Sequence, residues 1–281
     1  MTFSIVGRSA DGLSLGIAVA SKFLAVGAAV PAAEVEVGAV ATQSFANLAY
    51  RVQGLAMLRT GTSAADTIAG LTAADPGRAT RQLGVVGREG AGATFTGDEC
   101  FAWAGGVAGD GYAIQGNILT GADVVHDMEA AWLADPGAPL ARRLHAALAA
   151  GDRAGGDSRG RQSAALLVVR RGAGYGGLSD VEVDLRVDDD PDPVTRLGAL
   201  ISLWELYFQK PDPATLLPLT GALDEEVTQR LSALGFADLA GWAGVENLEE
   251  RLVDGAIDPL VLAHLRGAAP MTDSTTDPGV A

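Results

Sequence analysis

Thr2-Phe3-Ser4-Ile5-Val6, then Asp11-Gly12, then the run 13–20 decide how the fold begins. The first run mixes aromatic and β-branched residues with small polar ones. Asp-Gly is a strong hairpin turn signal, and the run after it alternates well enough to return as a second strand. A hairpin therefore starts at the second residue. Working outward, 28–30 and 35–42 read as strands. At 46–59 the period changes: Leu48, Val52, Leu55 and Leu58 recur at spacings of three and four, one face of a helix. A second helix runs from Ser63, a good N-cap, to about residue 74, where Asp75-Pro76-Gly77 ends it. Runs 82–86, 92–96, 100–104 and 112–117 read as short strands between glycine-rich turns. Helices follow at 122–132, striped by Val124, Met128 and Trp132, and at 139–149. Strands at 163–169 and 181–187 precede an amphipathic helix at 193–208. This order lacks the regular β–α alternation of a doubly wound sheet. It predicts an α+β fold of stacked antiparallel sheets covered by helices.

Lys210-Pro211-Asp212-Pro213 reads as a linker. Beyond it lie helical patterns at 224–234 and 259–265, the second opened by Asp258-Pro259, with Trp242 between them. The expected organisation is a main domain over 1–209, a small helical domain over 210–268 and a disordered tail over 269–281. A chain of 281 residues has room for one large domain and a small one. Its net charge of −15 argues against a nucleic-acid partner, which needs concentrated Lys and Arg. No apolar run is long enough to span a membrane, and the start lacks the basic and apolar regions of a secretory signal. A cytoplasmic location is the expectation.

Cys100 is the only cysteine, so no intramolecular disulfide can form. With no His near it in sequence, it reads as a small half-buried side chain. His126, His145 and His264 lie far apart, without ligand spacing. The acidic run Asp188-Asp189-Asp190-Pro191-Asp192 lacks the pattern of a calcium loop and reads as a turn capping the next helix. Neither a metal nor a cofactor is expected. The chain has no Gly-x-Ser-x-Gly elbow and no P-loop.

The N-terminus carries the remaining chemistry. Removal of Met1 would leave Thr2 with an α-amine, of pKa about 8, beside its own hydroxyl, a self-contained nucleophile and base. Lys22, where the second strand ends, would favour the deprotonated oxygen, or else is a surface lysine. Gln115-Gly116-Asn117 offers a side-chain amide and a bare glycine N–H, as an oxyanion hole or as a polar strand end. Residues 155–163, Gly-Gly-Asp-Ser-Arg-Gly-Arg-Gln-Ser, hold Asp157, Arg159, Arg161 and Ser163 among glycines that admit close backbone approach. An Arg here suits a substrate carboxylate; the alternative is a flexible linker.

With Gly38-Ala39-Val40-Ala41-Thr42-Gln43 and Val187-Asp188-Asp189, these motifs resemble the bacterial domain-of-unknown-function family 1028 over about residues 1–209. The resemblance implies the N-terminal-nucleophile (Ntn) hydrolase superfamily, a four-layer αββα sandwich with its nucleophile at the start of the first strand. The expected catalytic set is Thr2, Lys22, Gly116 and Asn117. The expected substrate-binding set is Gln43, Gln115, Asp157, Arg159, Arg161 and Ser163. The tail from about 211, with residues 242–251 and 257–262, resembles a peptidoglycan-binding domain found at the C-terminus of some members. The expected function is hydrolysis of a small amide or short peptide by a homo-oligomer. The rival is a non-catalytic protein that binds a small metabolite or peptidoglycan on the same scaffold.

Overall fold

The computed structural model describes residues 2–268; the start at Met1 and the tail expected over 269–281 lie outside the described residues. The chain divides into two compact units, Met1–Ile201 and Ser202–Ala281.

In the first unit β1 (Thr2–Arg8) and β2 (Ser14–Ser21) form the opening hairpin, Phe3 opposite Ala20. Its turn is built as the sequence suggests. Asp11 accepts from the Ser9 hydroxyl and the Leu13 amide, and Gly12 takes a φ of 74°, which its missing Cβ permits. A helical turn, α1 (Val26–Ala29), follows, then β3 (Pro31–Glu34) and β4 (Gly38–Ser44). The expected strand at 28–30 is thus a helix end, and the one expected at 35–42 begins only at Gly38, after a turn at 35–37, while β3 forms between the two expected runs; short apolar runs carry no period that separates these states.

The helices α2 (Ala49–Arg59) and α3 (Ala64–Ala73) come next, then β5 (Arg81–Gly87), β6 (Ala93–Thr96), β7 (Gly105–Gly109) and β8 (Tyr112–Asn117). The expected strand at 100–104 does not form. The Phe101 and Trp103 carbonyls accept from Ile118 and Leu119, so this segment wraps the end of β8 instead of adding a strand. Helices α4 (Asp123–Ala134) and α5 (Leu140–Arg153), strands β9 (Ser163–Arg170) and β10 (Val181–Val187), and helix α6 (Pro193–Phe208) complete the order. One sheet runs β10-β9-β2-β1-β8-β7, the other β3-β4-β5-β6, and every pairing is antiparallel.

Strand alternation explains the packing. Val6, Leu15, Ile17, Val19, Ala39, Ala41, Val86 and Ala113 meet in one core between the sheets. On the outer face of the smaller sheet, Val40, Leu83 and Val85 pack with Tyr50, Leu58, Ile68 and Leu71 of α2 and α3. On the outer face of the larger sheet, a Cβ at Gly7 would strike Trp132 of α4, and one at Gly16 would strike Leu144 of α5, so both strands need glycine for helix approach.

The stripe on α2 differs from the spacing rule. Its buried face is Tyr50, Gly54 and Leu58, while Leu48 and Val52 are exposed. Gly54 lets the helix approach Val40, and the Tyr50 hydroxyl donates to Asp75 (2.8 Å); these two contacts set the rotation. Ser63 caps α3, accepting from the Asp66 amide at 3.1 Å. Ser63→Ala is expected to lower stability by about 1 kcal/mol, measurable as a shifted denaturant midpoint.

The second unit is built on α7 (Ala222–Leu234), α8 (Leu239–Val245), α9 (Pro259–Gly267) and the short pair β11 (Leu217–Pro218) and β12 (Ala256–Ile257). Val227, Leu231, Trp242, Leu248, Ile257, Val261 and Leu265 form its core. Asp258 caps α9 through the Leu260 amide (2.7 Å) and pairs with buried Arg251, which also donates to the Glu205 and Leu206 carbonyls.

Candidate functional site

The inner faces of six strands change character at one end of the sandwich. Following the alternation toward that end, Val6 gives way to Ser4 and Thr2 on β1, and Ala113 to Gln115 and Asn117 on β8. Likewise Ala41 gives way to Gln43 on β4, Val86 to Gln82 across Gly84 on β5, and Val19 to Ser21 on β2. On β9, Ala165 gives way to Ser163. The registers bring these polar ends together: Thr2 lies opposite Asn117, Gln43 opposite Gln82, and Ser21 opposite Ser163. All are buried.

Buried polar groups must find partners, and here they mostly find one another. Gln82 is the hub. Its Oε1 accepts from Gln43 Nε2 and Asn117 Nδ2, both at 2.8 Å, and its Nε2 donates to the Gly116 carbonyl (2.7 Å) and Thr96 Oγ1 (2.9 Å). Ser4 donates to Gln43 Oε1 and accepts from Gln115 Nε2, each at 2.6 Å. Gln115 Oε1 makes no hydrogen bond and lies over Gly84, where a Cβ would approach it to 2.1 Å. The Thr2 carbonyl accepts from Gln43 Nε2 (3.2 Å) and Asn117 Nδ2 (3.5 Å), and Thr2 Oγ1 lies 3.2 Å from Ser21 Oγ. The first residue of β1 is thereby fixed at both its carbonyl and its hydroxyl.

The other candidates occupy different surroundings. Lys22 is exposed; its ammonium donates to the Arg161 carbonyl (3.3 Å) and its backbone N–H to Asp157 Oδ2 (2.8 Å). The residue after Ser21 thus lies off the end of β2, against the 155–163 loop. Gly116 pairs with Phe3 and faces the helices, where a Cβ would meet Leu119, so it and Asn117 lie on opposite faces of β8.

Asp157 is buried. It accepts from the Lys22 amide and from the Arg159 amide and guanidinium. Ser163 accepts from the Val26 amide (3.1 Å) and donates to the Phe23 carbonyl (2.5 Å). Arg161 pairs with Asp152 (2.7 Å), which holds the guanidinium positive. The 155–163 loop is thus a folded clasp over the end of β2. A cavity of about 130 Å³ lies beside it, lined by Phe3, Ala20, Asp152, Asp157, Arg161 and Val194 among others. Phe3 and Ala20 are cross-strand partners on the face opposite Thr2 and Ser4. The candidates fall into two groups, Thr2, Gln43, Gln115 and Asn117 between the sheets and Asp157, Arg159 and Arg161 at the clasp; Ser21, which also lines the cavity, links them, its Oγ 3.2 Å from Thr2 Oγ1.

Gln82, Ser4 and Ser21 complete the buried set, and the sequence reading did not assign them to the site. A signal existed in the even spacing of polar residues at the ends of otherwise apolar strands. It becomes visible only once strand register is known.

Residues 2–197 match the model of a family of unknown function, DUF1028. The chain belongs to this family. A crystal structure of another DUF1028 protein, from Silicibacter pomeroyi, is similar at 29% identity and a TM-score of 0.65 over 80% of this chain and 92% of that one. Residues 207–265 match a second model, described as "Putative peptidoglycan binding domain". No curated protein matches the chain. Among the described residues, no helix is long and apolar enough to cross a membrane, and no group of three His, Cys, Asp or Glu side chains is placed to hold a metal ion.

Proposed function

We propose that this DUF1028 protein is an N-terminal-nucleophile hydrolase of small amides, with Thr2 as nucleophile after removal of Met1. One observation carries the reading. Thr2 is the first residue of β1, its hydroxyl between two face-to-face antiparallel sheets and its carbonyl held by two side-chain amides. The helix pairs outside each sheet fit the αββα arrangement of that superfamily; this part of the case is analogy of fold.

The chemistry runs as an acyl transfer. The Thr2 α-amine takes the hydroxyl proton as Oγ1 attacks the amide carbonyl. The C–N bond breaks, the amine leaves with that proton, and Thr2 holds the acyl group as an ester. Water then cleaves the ester, releasing a carboxylic acid and restoring Thr2. The Asn117 amide is the side-chain donor for the oxyanion. Gln82 and Gln43 position it, and Ser21 orients the nucleophile.

The amine works only when neutral, so the reaction gains rate as pH rises through the α-amine pKa, about 8, and levels off above it. Acylation of Thr2 by a β-lactone, timed by intact mass across this range, checks the point. A rate flat between about pH 6 and 9 contradicts the α-amine as base.

A second function for residues 207–265, binding to peptidoglycan, is supported by the family match. Sedimentation with insoluble peptidoglycan should retain the full chain and lose it when residues 211–281 are deleted; equal retention dismisses it.

A further inference from the structure

We infer that the substrate at Thr2 is a neutral amide bearing a bulky apolar group, seated on an aromatic rim at the polar end of the sandwich; this rests on the reading of Thr2 as nucleophile. Three chain segments leave that end beside Thr2, and each carries an exposed phenylalanine. Phe23 follows Ser21 by two residues, and Ser21 Oγ is 3.2 Å from Thr2 Oγ1. Phe45 follows Gln43 by two, and Gln43 bonds the Thr2 carbonyl. Phe101 accepts through its carbonyl from Ile118, the residue after Asn117, which is the cross-strand partner of Thr2. Two residues of extended chain reach at most about 7 Å, so Phe23 and Phe45 start within a short step of the site. The three rings are 55%, 56% and 59% exposed, and Leu24 and Leu48 beside them are exposed too.

Two of these side chains form a built edge. The Phe45 and Phe101 rings stand edge to face, centroids 6.1 Å apart. Arg81 donates to the Phe45 carbonyl (2.5 Å), and Asp75 holds Arg81 (2.9 Å) while accepting from Asn47 and Tyr50. These charge-assisted bonds keep the Asp75 carboxyl well below its ordinary range. The loop is thus fixed with its aromatic ring outward. On a chain of net charge −15, the exposed Phe45–Phe101 pair at the end where β1 begins is a departure that marks contact with something apolar. The groups around Thr2, namely Ser21, Gln43, Gln82 and Asn117, are all neutral amides or hydroxyls, matched to an amide bond.

The test compares two β-lactones, one with an octyl chain and one with a methyl group, on the wild-type chain and on the Phe45→Ser/Phe101→Ser variant. Both positions are exposed, so the variant keeps its fold. In each case Thr2 Oγ1 attacks the lactone carbonyl, the ring C–O bond breaks and the ring oxygen receives the proton. The wild type should label at least about tenfold faster with the octyl lactone, and the variant should lose that preference while keeping its methyl-lactone rate. Equal rates with both lactones, or an octyl preference that survives the substitutions, would overturn the rim while leaving the nucleophile in place. No label at Thr2 from either lactone would overturn the nucleophile and the rim with it.

Discussion

Thr2→Ala should abolish acyl-enzyme formation and reduce amide turnover by at least about a thousandfold, because the reacting oxygen is gone and none of the neighbouring groups replaces it. Ser21 is the nearest hydroxyl, but it sits inside the chain and carries no free amine. Thr2→Ser restores both oxygen and amine, so it should recover a measurable fraction of the rate. The pair separates chemistry from structure. Alanine removes the hydroxyl contact to Ser21 and leaves the Thr2 carbonyl bonds to Gln43 and Asn117 intact. Full turnover by Thr2→Ala, with the far-ultraviolet circular dichroism unchanged, would remove Thr2 from the mechanism.

Gln82→Leu should destabilise the first unit by about 4 kcal/mol, among the largest losses a single substitution gives. The leucine fills similar space but strands groups that have no water to turn to. Gln43 Nε2 and Asn117 Nδ2 lose their shared acceptor, and the Gly116 carbonyl loses its side-chain donor. Removing one partner from a buried set leaves the others to carry the desolvation cost, about 1–3 kcal/mol each. Val52→Ala is the control, since Val52 is exposed on α2 and should shift stability by no more than about 0.5 kcal/mol. Urea unfolding of both variants measures the contrast; a Gln82→Leu loss no larger than the control would mean that the hub is not structural.

Much of the fold was legible because its signals were local. Asp11-Gly12 set the first hairpin, and Ser63 with Asp75-Pro76-Gly77 bounded α3. The stripe Val124, Met128, Trp132 is the buried face of α4, as its spacing required. What the sequence reading missed depended on distant partners. Tyr50 outweighs Leu48 on α2 because of Asp75, and Gly54 because of Val40. Residues 100–104 are drawn off strand pairing by Ile118 and Leu119.

The site divides along the same line. Thr2 stood out by its place at the N-terminus, Gln115 and Asn117 as a polar strand end and Gln43 through the family resemblance, and register gathers them with Gln82. Asp157 and Arg161 stood out as dense polar chemistry. In the fold, that chemistry closes a loop, Asp157 onto the Lys22 amide and Arg161 onto Asp152, beside a cavity that reaches Ser21. Charge density alone did not distinguish a clasp from a substrate grip, because both ask for the same residues.

The central claim, a reactive threonine at the head of β1, is tested most directly by intact mass and peptide mapping of the native protein before and after a β-lactone. The account predicts a chain that begins at Thr2 and gains one adduct, located on Thr2. A chain that retains Met1 and gains none, or an adduct placed elsewhere, would contradict it.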